Sequence, residues 1–499
     1  MTAAAARGPG AVTRRGGLPA DGAVYDVAVV GAGVVGAAVA RELARHRLRI
    51  ALLDAADDVG EGTSKANTAI LHTGFDAVPG TLEARLVREG HGLLTAYAAQ
   101  TGIPVEPVGA LLVAWDAAQL AALPALAAKA ARNGHHGTRL LDAAELRARE
   151  PHLGPGALGA LEVPGESVVC PWTTVLAYAV QAVRAGVDLH LGCALERVGS
   201  GGSEAPQRPG ESREPGEGVH ELLTSRGRLR ARYLVNAAGL HADAVDALLG
   251  YRDFTVTPRR GQLLVFDAFA RDLVRHILLP VPTALGKGVL VAPTVHGKVL
   301  LGPTAEDLDP ADKAATGSTA EGLEGLRAQG ARIVPELLAE EVTAVYAGLR
   351  AATGQEDYRI AAHPERRCVT VGGIRSTGLT ASMAIARHVA GLLAATGLDL
   401  GPAGPLPDVR MPYVGEAFPR PYADAALIAA DPAYGTVVCH CERVTLGEIR
   451  DALASSIPPV SPGGLRRRTR AGAGRCQGSA CGASVRALLE RAGRRGAER

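Results

Sequence analysis

The sequence predicts a multidomain α/β protein, and three observations predict it. A β-branched run, Val27–Val30, stops at a glycine turn and leads through a helix-spaced apolar stretch into a second strand-like run. The same strand–glycine–helix alternation returns at "RYLVNAAGLHADAVDALLG" and at "CVTVGGIRSTGLTASMAIARHVAGLLAATG". Four of the seven cysteines are gathered in the last stretch of the chain. A length of 499 residues exceeds what one core holds and asks for two or three domains. Together these features predict a Rossmann-like domain assembled from separated segments, a second domain built from the insertions, and a small cysteine-bearing tail.

Composition narrows the function. Nearly half the residues are hydrophobic, and the net charge is only +2. Basic residues are not interleaved with aromatics, so nucleic acid is not an implied partner. Residues 1–23 lack an apolar signal region and are expected to form a disordered leader. The apolar run Val27–Ala40 is broken by three glycines and is too short to span a bilayer. The cysteines do not form a secreted disulfide framework. A cytoplasmic protein is expected, with peripheral membrane association possible through a partner.

In chain order, a strand ending at Val30 is followed by a helix and by a strand over Arg49–Leu53. Apolar spacing predicts helices over Thr81–Ala99, Ala117–Arg132, Ala143–Ala148 and Thr173–Ala185. Gly199–Gly218, rich in Gly, Ser, Glu, Arg and Pro, has almost nothing to bury and is expected to be a solvated insertion between two strands. Alternating strands are expected within Thr255–Phe266 and Gly288–Leu301. A proline-rich connector from about Leu398 to Tyr434 precedes the tail.

"GAGVVG" sets Gly31, Gly33 and Gly36 in G-x-G-x-x-G spacing between strand and helix. The first glycine permits the turn, the second lets a pyrophosphate reach the backbone, and the third lets helix and strand pack closely. The helix N-terminus offers free N–H groups and a favourable dipole to the phosphates. Asp54, 18 residues after Gly36, ends the next strand where an acid takes ribose hydroxyls. A dinucleotide is therefore expected. Two further turns, Asn236–Gly239 and Gly378–Leu379–Thr380, offer a helix start to a flavin's electron-rich edge, and the three in this order point to FAD.

With these motifs in view, residues from about Val24 to Gly397 resemble the glycine oxidase/D-amino-acid oxidase superfamily of FAD enzymes. "TSKANTAILHTGFDAVPGTLEARL", "RRGQLLVFD", "LLGPTAED" and "GIRSTGLTAS" are most similar to its branch of glycerol-3-phosphate dehydrogenases and L-2-hydroxyglutarate oxidases. The resemblance implies a glutathione-reductase-type FAD domain of segments 24–75, 165–250 and 342–397, with an α+β substrate domain of segments 76–164 and 251–341. It also implies that Thr63, Ser64 and Asn67 lie along the FAD, and that His72 and Gly74 lie close to the flavin. Family members usually carry Glu where this chain has Asp54.

The tail, residues 436–499 after a linker over 398–435, places Cys439 and Cys441 in C-x-C and Cys476 and Cys481 in C-x₄-C spacing. It resembles bacterioferritin-associated ferredoxin domains, which hold a [2Fe–2S] cluster on four thiolates. Zinc is the competing reading, but its four-thiolate sites favour C-x₂₋₄-C pairs. A cluster passes one electron at a time, so the tail reads as an exit from a flavin that accepts two. Cys170, Cys193 and Cys368 lie in apolar surroundings and read as core thiols, and His135–His136 reads as a solvated loop.

For the substrate, Arg350 follows a strand at a family position that often binds an anionic group, and Arg259 and Arg260 are second choices. A guanidinium fork suits phosphate and carboxylate alike, and a surface ion pair is the plain alternative. His72 is the candidate base for a substrate hydroxyl, or else a flavin-orienting histidine. The expected function is oxidation of a small anionic 2-hydroxy compound. The resemblance implies sn-glycerol 3-phosphate, with a quinone or partner subunit as acceptor. The alternatives are an L-2-hydroxyglutarate-type dehydrogenase, an amino-acid or amine oxidase, and a non-catalytic electron-transfer subunit.

Overall fold

The computed structural model describes residues 8–14, 17–18, 24–201, 218–282, 288–412, 414–416 and 418–497. Two nine-stranded sheets organise them. In the first, five strands run parallel side by side: Asp188–His190, Ile50–Leu53, Val24–Val30, Gly227–Asn236 and Cys368–Gly372. Side chains alternate across a strand. Val27 and Val29 accordingly enter the core beneath the helices Val34–Leu43, Pro171–Arg184 and Gly378–Ala395. Ala28 and Val30 enter a separate core with Val245 and Leu249 on the other face. Burial on both faces is why these strands read as continuous apolar runs.

The register sets Val30 beside Leu53 and Asn236, so the strands end together. The turns after those ends open one crevice at the carboxyl edge, where ligands bind in open α/β sheets. Gly378–Ala395 is long and apolar enough to cross a membrane, but 61% of it is buried inside the protein between neighbouring helices.

The second sheet is mostly antiparallel. Val342–Ala352 pairs along the whole of Thr257–Phe266, followed by Val299–Gly302, Leu290–Pro293, Ile277–Pro280, Ala110–Ala114, Gly159–Val163 and Arg139–Asp142. Thr257–Phe266 is thus one long strand rather than a set of short ones.

A further expectation changes. Part of the expected disordered leader is ordered: Val12–Thr13 extends the first sheet in parallel beside Leu189–His190. Leu189 N donates to Ala11 O at 2.7 Å, because the edge strand Asp188–His190 leaves backbone groups that any short extended segment satisfies. Residues 1–7, 15–16 and 19–23 of that leader lie outside the described residues. The connector is a fitted strap. Leu398, Val409 and Met411 are buried, Met411 N donates to Thr101 O at 2.8 Å, and Gln181 Nε2 donates to Pro407 O at 2.7 Å. Of the expected insertion, 202–217 lies outside the described residues, and its flanks Leu195–Gly201 and Val219–Thr224 form a hairpin.

Candidate active site and iron–sulfur centre

The glycine turn shows three different needs. Gly31 has φ +101°, and a Cβ there would lie 2.4 Å from the Ala237 carbonyl oxygen. A Cβ at Gly36 would lie 1.8 Å from the Gly31 carbonyl oxygen, so helix and strand meet only through glycine. Gly33 caps Val34–Leu43 with ordinary φ, and its Cβ would meet only the Ser64 Oγ, at 3.2 Å. The space beside Gly33 is a cradle at a helix N-terminus, which fits a pyrophosphate. Gly33→Val is expected to yield folded protein with most of its flavin missing, read as the flavin-to-protein absorbance ratio after purification.

Asp54 ends its strand half-buried. Its Oδ2 accepts from Ala32 N at 2.6 Å and its Oδ1 from Ala56 N at 2.8 Å. Burial raises its carboxyl above the ordinary value despite those two N–H groups. A carboxylate has about four lone-pair sites, so capacity remains for ribose hydroxyls.

Thr63, Ser64 and Asn67 stitch the crevice to the second sheet. Ser64 Oγ accepts from Val34 N at 2.9 Å, and Thr63 Oγ1 donates to Leu349 O at 2.8 Å. Asn67 Nδ2 donates to Ser64 O at 2.9 Å, and Tyr346 Oη donates to Asn67 O at 3.0 Å. A Cβ at Gly348 would lie 2.1 Å from Ala66 O. Gly239 turns at φ +58° with open space around it, beside the Ala237 carbonyl that Gly31 meets. Gly378, Leu379 and Thr380 begin Gly378–Ala395, and Thr380 Oγ1 accepts from His72 N at 3.0 Å.

His72 Nδ1 lies 3.0 Å from Glu166 Oε2. Glu166, which sequence reasoning missed, is 0% exposed, and its Oε1 accepts from Thr73 N at 2.6 Å and Thr73 Oγ1 at 2.8 Å. As a carboxylate it only accepts, so the shared proton sits on Nδ1 and Nε2 keeps its lone pair. No motif marks Glu166; it follows a turn in "PGESVV".

Arg350 is separated from its two rivals. In register with Arg259, it lies across Gly261, whose Cβ would come within 2.5 Å of Arg350 Nη2. Arg259 pairs with Asp307 and Arg260 with Glu306, whereas among the described residues Arg350 makes one hydrogen bond, Nη2 to Thr304 O at 2.9 Å. Burial, with Arg259 alongside, brings its guanidinium down to about 10, still charged at neutral pH. Tyr346, Gly348 and Arg350 alternate onto one face of their strand, the face that meets Ala66 and Asn67. The surface ion-pair alternative therefore describes Arg259, not Arg350.

In the tail, Cys439 and Cys481 are buried, Cys476 is half-buried and Cys441 is exposed. The thiols are neighbours in two pairs, Cys441 with Cys476 and Cys439 with Cys481. The Ala480 N–H, the Cys441 thiol and the Gly478 N–H bring Cys476 down to about 7, while burial and Cys439 push Cys481 up to about 11. Gly472 N donates to Cys439 Sγ at 3.4 Å. Gly472 and Gly478 have φ of +78° and +84°, and that turn geometry aims N–H groups at sulfur. Four thiols ringed by N–H donors fit an anionic cluster. Cys170, Cys193 and Cys368 are buried in the cores, and His135 is half-buried beside Thr73 with His136 exposed.

Crevice and thiol set together define a flavin-dependent oxidoreductase with an iron–sulfur module. Residues 26–392 match the family described as FAD dependent oxidoreductase, and residues 437–491 match the BFD-like [2Fe-2S] binding domain. The chain belongs to the FAD dependent oxidoreductase family, and its cofactors are FAD and a [2Fe–2S] cluster. It is 33% identical over 475 residues to a glycerol 3-phosphate dehydrogenase of Caloramator mitchellensis, covering 94% of each chain. It is 30% identical to the mitochondrial L-2-hydroxyglutarate dehydrogenase of Homo sapiens, over 58% of this chain and 63% of that protein. Among solved structures, the dithionite-reduced L-alpha-glycerophosphate oxidase of Mycoplasma pneumoniae with FAD bound superposes with TM-score 0.69 and 27% identity, over 78% of this chain and 99% of that one.

Proposed function

We propose that the chain oxidises sn-glycerol 3-phosphate to dihydroxyacetone phosphate and passes the electrons through its [2Fe–2S] cluster to a quinone or partner protein. The observation that carries this reading is Arg350, a guanidinium that makes no ion pair among the described residues, held over Gly261 where the substrate sheet meets Thr63–Asn67. Likeness to a glycerol 3-phosphate dehydrogenase over 94% of both chains supports it. Bound FAD supplies the acceptor for a hydride, and the bound cluster carries electrons singly.

The chain's own residues bind, orient and deprotonate. Arg350 takes the phosphate through its planar fork and fixes the substrate's anionic end. His72 Nε2, left basic by the Nδ1–Glu166 hydrogen bond, takes the hydroxyl proton as the C–H hydride leaves. Thr380, bonded to the His72 backbone, ties that base to the start of Gly378–Ala395. By the same reading the protein is cytoplasmic and meets any membrane only through its acceptor.

L-2-Hydroxyglutarate is the second reading, because the same fork accepts a carboxylate and the human relative acts on that compound by name. An anaerobic visible spectrum decides between them. Glycerol 3-phosphate is expected to bleach the flavin band and then the iron–sulfur absorbance. Bleaching by L-2-hydroxyglutarate alone would reassign the substrate, and bleaching by neither would overturn both substrate readings.

A further inference from the structure

The cluster domain is held against the FAD domain by a buried ionic latch. Asp58, four residues past Asp54, is 0% exposed and accepts from Arg468 Nη1 and Nη2 at 2.7 Å each and from Arg467 Nη2 at 2.7 Å. Arg467 also pairs with Glu61, whose carboxylate holds Lys65 Nζ. Burial pushes the Asp58 carboxyl up, but Arg468 and Arg467 pull it below its ordinary value. A Cβ at Gly464 would lie 2.9 Å from Asp58 Oδ2, so the helix Pro462–Thr469 comes this close only through glycine. Removing one partner of such a set leaves a buried charge uncompensated, so the docked arrangement is a single fixed geometry.

One aromatic side chain sits across that junction. Trp172 Nε1 donates to Lys65 O at 3.0 Å, within the Thr63–Asn67 segment. Its ring stacks on His296, centroids 5.3 Å apart at 18°, and the Arg470 guanidinium lies 5.5 Å from its centre. Arg470 in turn bonds Glu442, the neighbour of Cys441, through Nε at 3.2 Å and Nη2 at 3.1 Å. Two residues beyond Arg470, the Gly472 N–H reaches Cys439 Sγ. Lys65, Trp172, Arg470 and the cluster loop therefore form an unbroken chain of contacts from the FAD segment to the thiols.

We infer that Trp172 is the bridge through which electrons pass from the flavin to the cluster, in a docking geometry fixed by Asp58. This rests on the flavin reading above. Two single-electron transfers per turnover each reduce the cluster by one electron. Each is followed by re-oxidation of the cluster by the external acceptor, and the flavin returns to its oxidised form with loss of a proton to water.

The test uses the full chain with both cofactors. On anaerobic rapid mixing with glycerol 3-phosphate, Trp172→Leu is expected to bleach its flavin at the wild-type rate but to reduce its cluster severalfold more slowly. Iron content and both midpoint potentials are expected to stay unchanged, a pattern that a merely structural role would not give. Trp172→Phe keeps a ring against His296 and is expected to fall between the two, and it serves if the Leu variant fails to fold. A second readout needs no turnover. The chain has two tryptophans, so Trp115→Phe leaves Trp172 as the sole indole, and its emission is expected to be quenched on FAD loading and further on cluster loading. Cluster reduction at the wild-type rate in the Leu variant, or emission unmoved by either cofactor, overturns the inference. Failure of the substrate to bleach the flavin strikes the functional reading instead.

Discussion

Arg350→Ala is expected to lower kcat/KM for glycerol 3-phosphate by on the order of a thousandfold, about 4 kcal/mol, the range for truncating one partner of a desolvated charge pair. The protein should keep its flavin, because Arg350 bonds Thr304 O and packs over Gly261, away from the Gly31–Gly36 turn. Stopped-flow flavin reduction against substrate concentration checks this, with the loss expected mostly as weaker binding. Arg350→Lys keeps the charge but not the fork, so it should recover only part of the loss. Arg259→Ala is the contrasting control. Its guanidinium is already engaged by Asp307 in an exposed pair, and such pairs contribute about 0–1 kcal/mol, so activity should change little. If the Arg350 variant were as active as wild type, the substrate's anionic end would have to bind elsewhere.

The contrast between Arg350 and Arg259 also shows what the sequence could carry. The G-x-G-x-x-G turn was legible because its physics is local: a strand, three glycines and a helix within a few residues set positive φ at Gly31 and contact at Gly36. The four tail thiols were legible for the same reason, through spacing. Which arginine is free was not, because the answer lies in strand register. Arg259 falls opposite Asp307 on one side and Arg350 on the other, so the acid goes to Arg259. Glu166 meets His72 across 94 residues, and Asp58 meets Arg468 across 410, with no periodicity to announce either. The prolines of the connector marked it as a link between domains, but which of its sparse apolar residues enter the core was not legible: Leu398, Val409 and Met411 are buried because an extended strap lays them against it.

Glu166→Gln, nearly identical in shape, is expected to lower the rate of flavin reduction by about 10²–10⁴-fold, the range for loss of a positioned general base. The direction follows from donors and acceptors. Thr73 N and Thr73 Oγ1 both donate to Glu166 Oε1, so in the variant the amide oxygen must occupy that place. The amide NH₂ then faces His72 Nδ1 and donates to it, the proton moves to Nε2, and the lone pair meant for the substrate hydroxyl is lost. Binding through Arg350 is untouched, so KM should change little while kcat falls, the signature of an interaction used in the transition state. His72→Ala should fall as far, and the double variant no further, because the two side chains act as one unit. Flavin content and cluster iron should match wild type in all three. If Glu166→Gln instead reduced its flavin normally while His72→Ala did not, the tautomer argument would fail. The His72 loss would then not depend on Glu166, with His72 serving to orient the flavin rather than to take the proton.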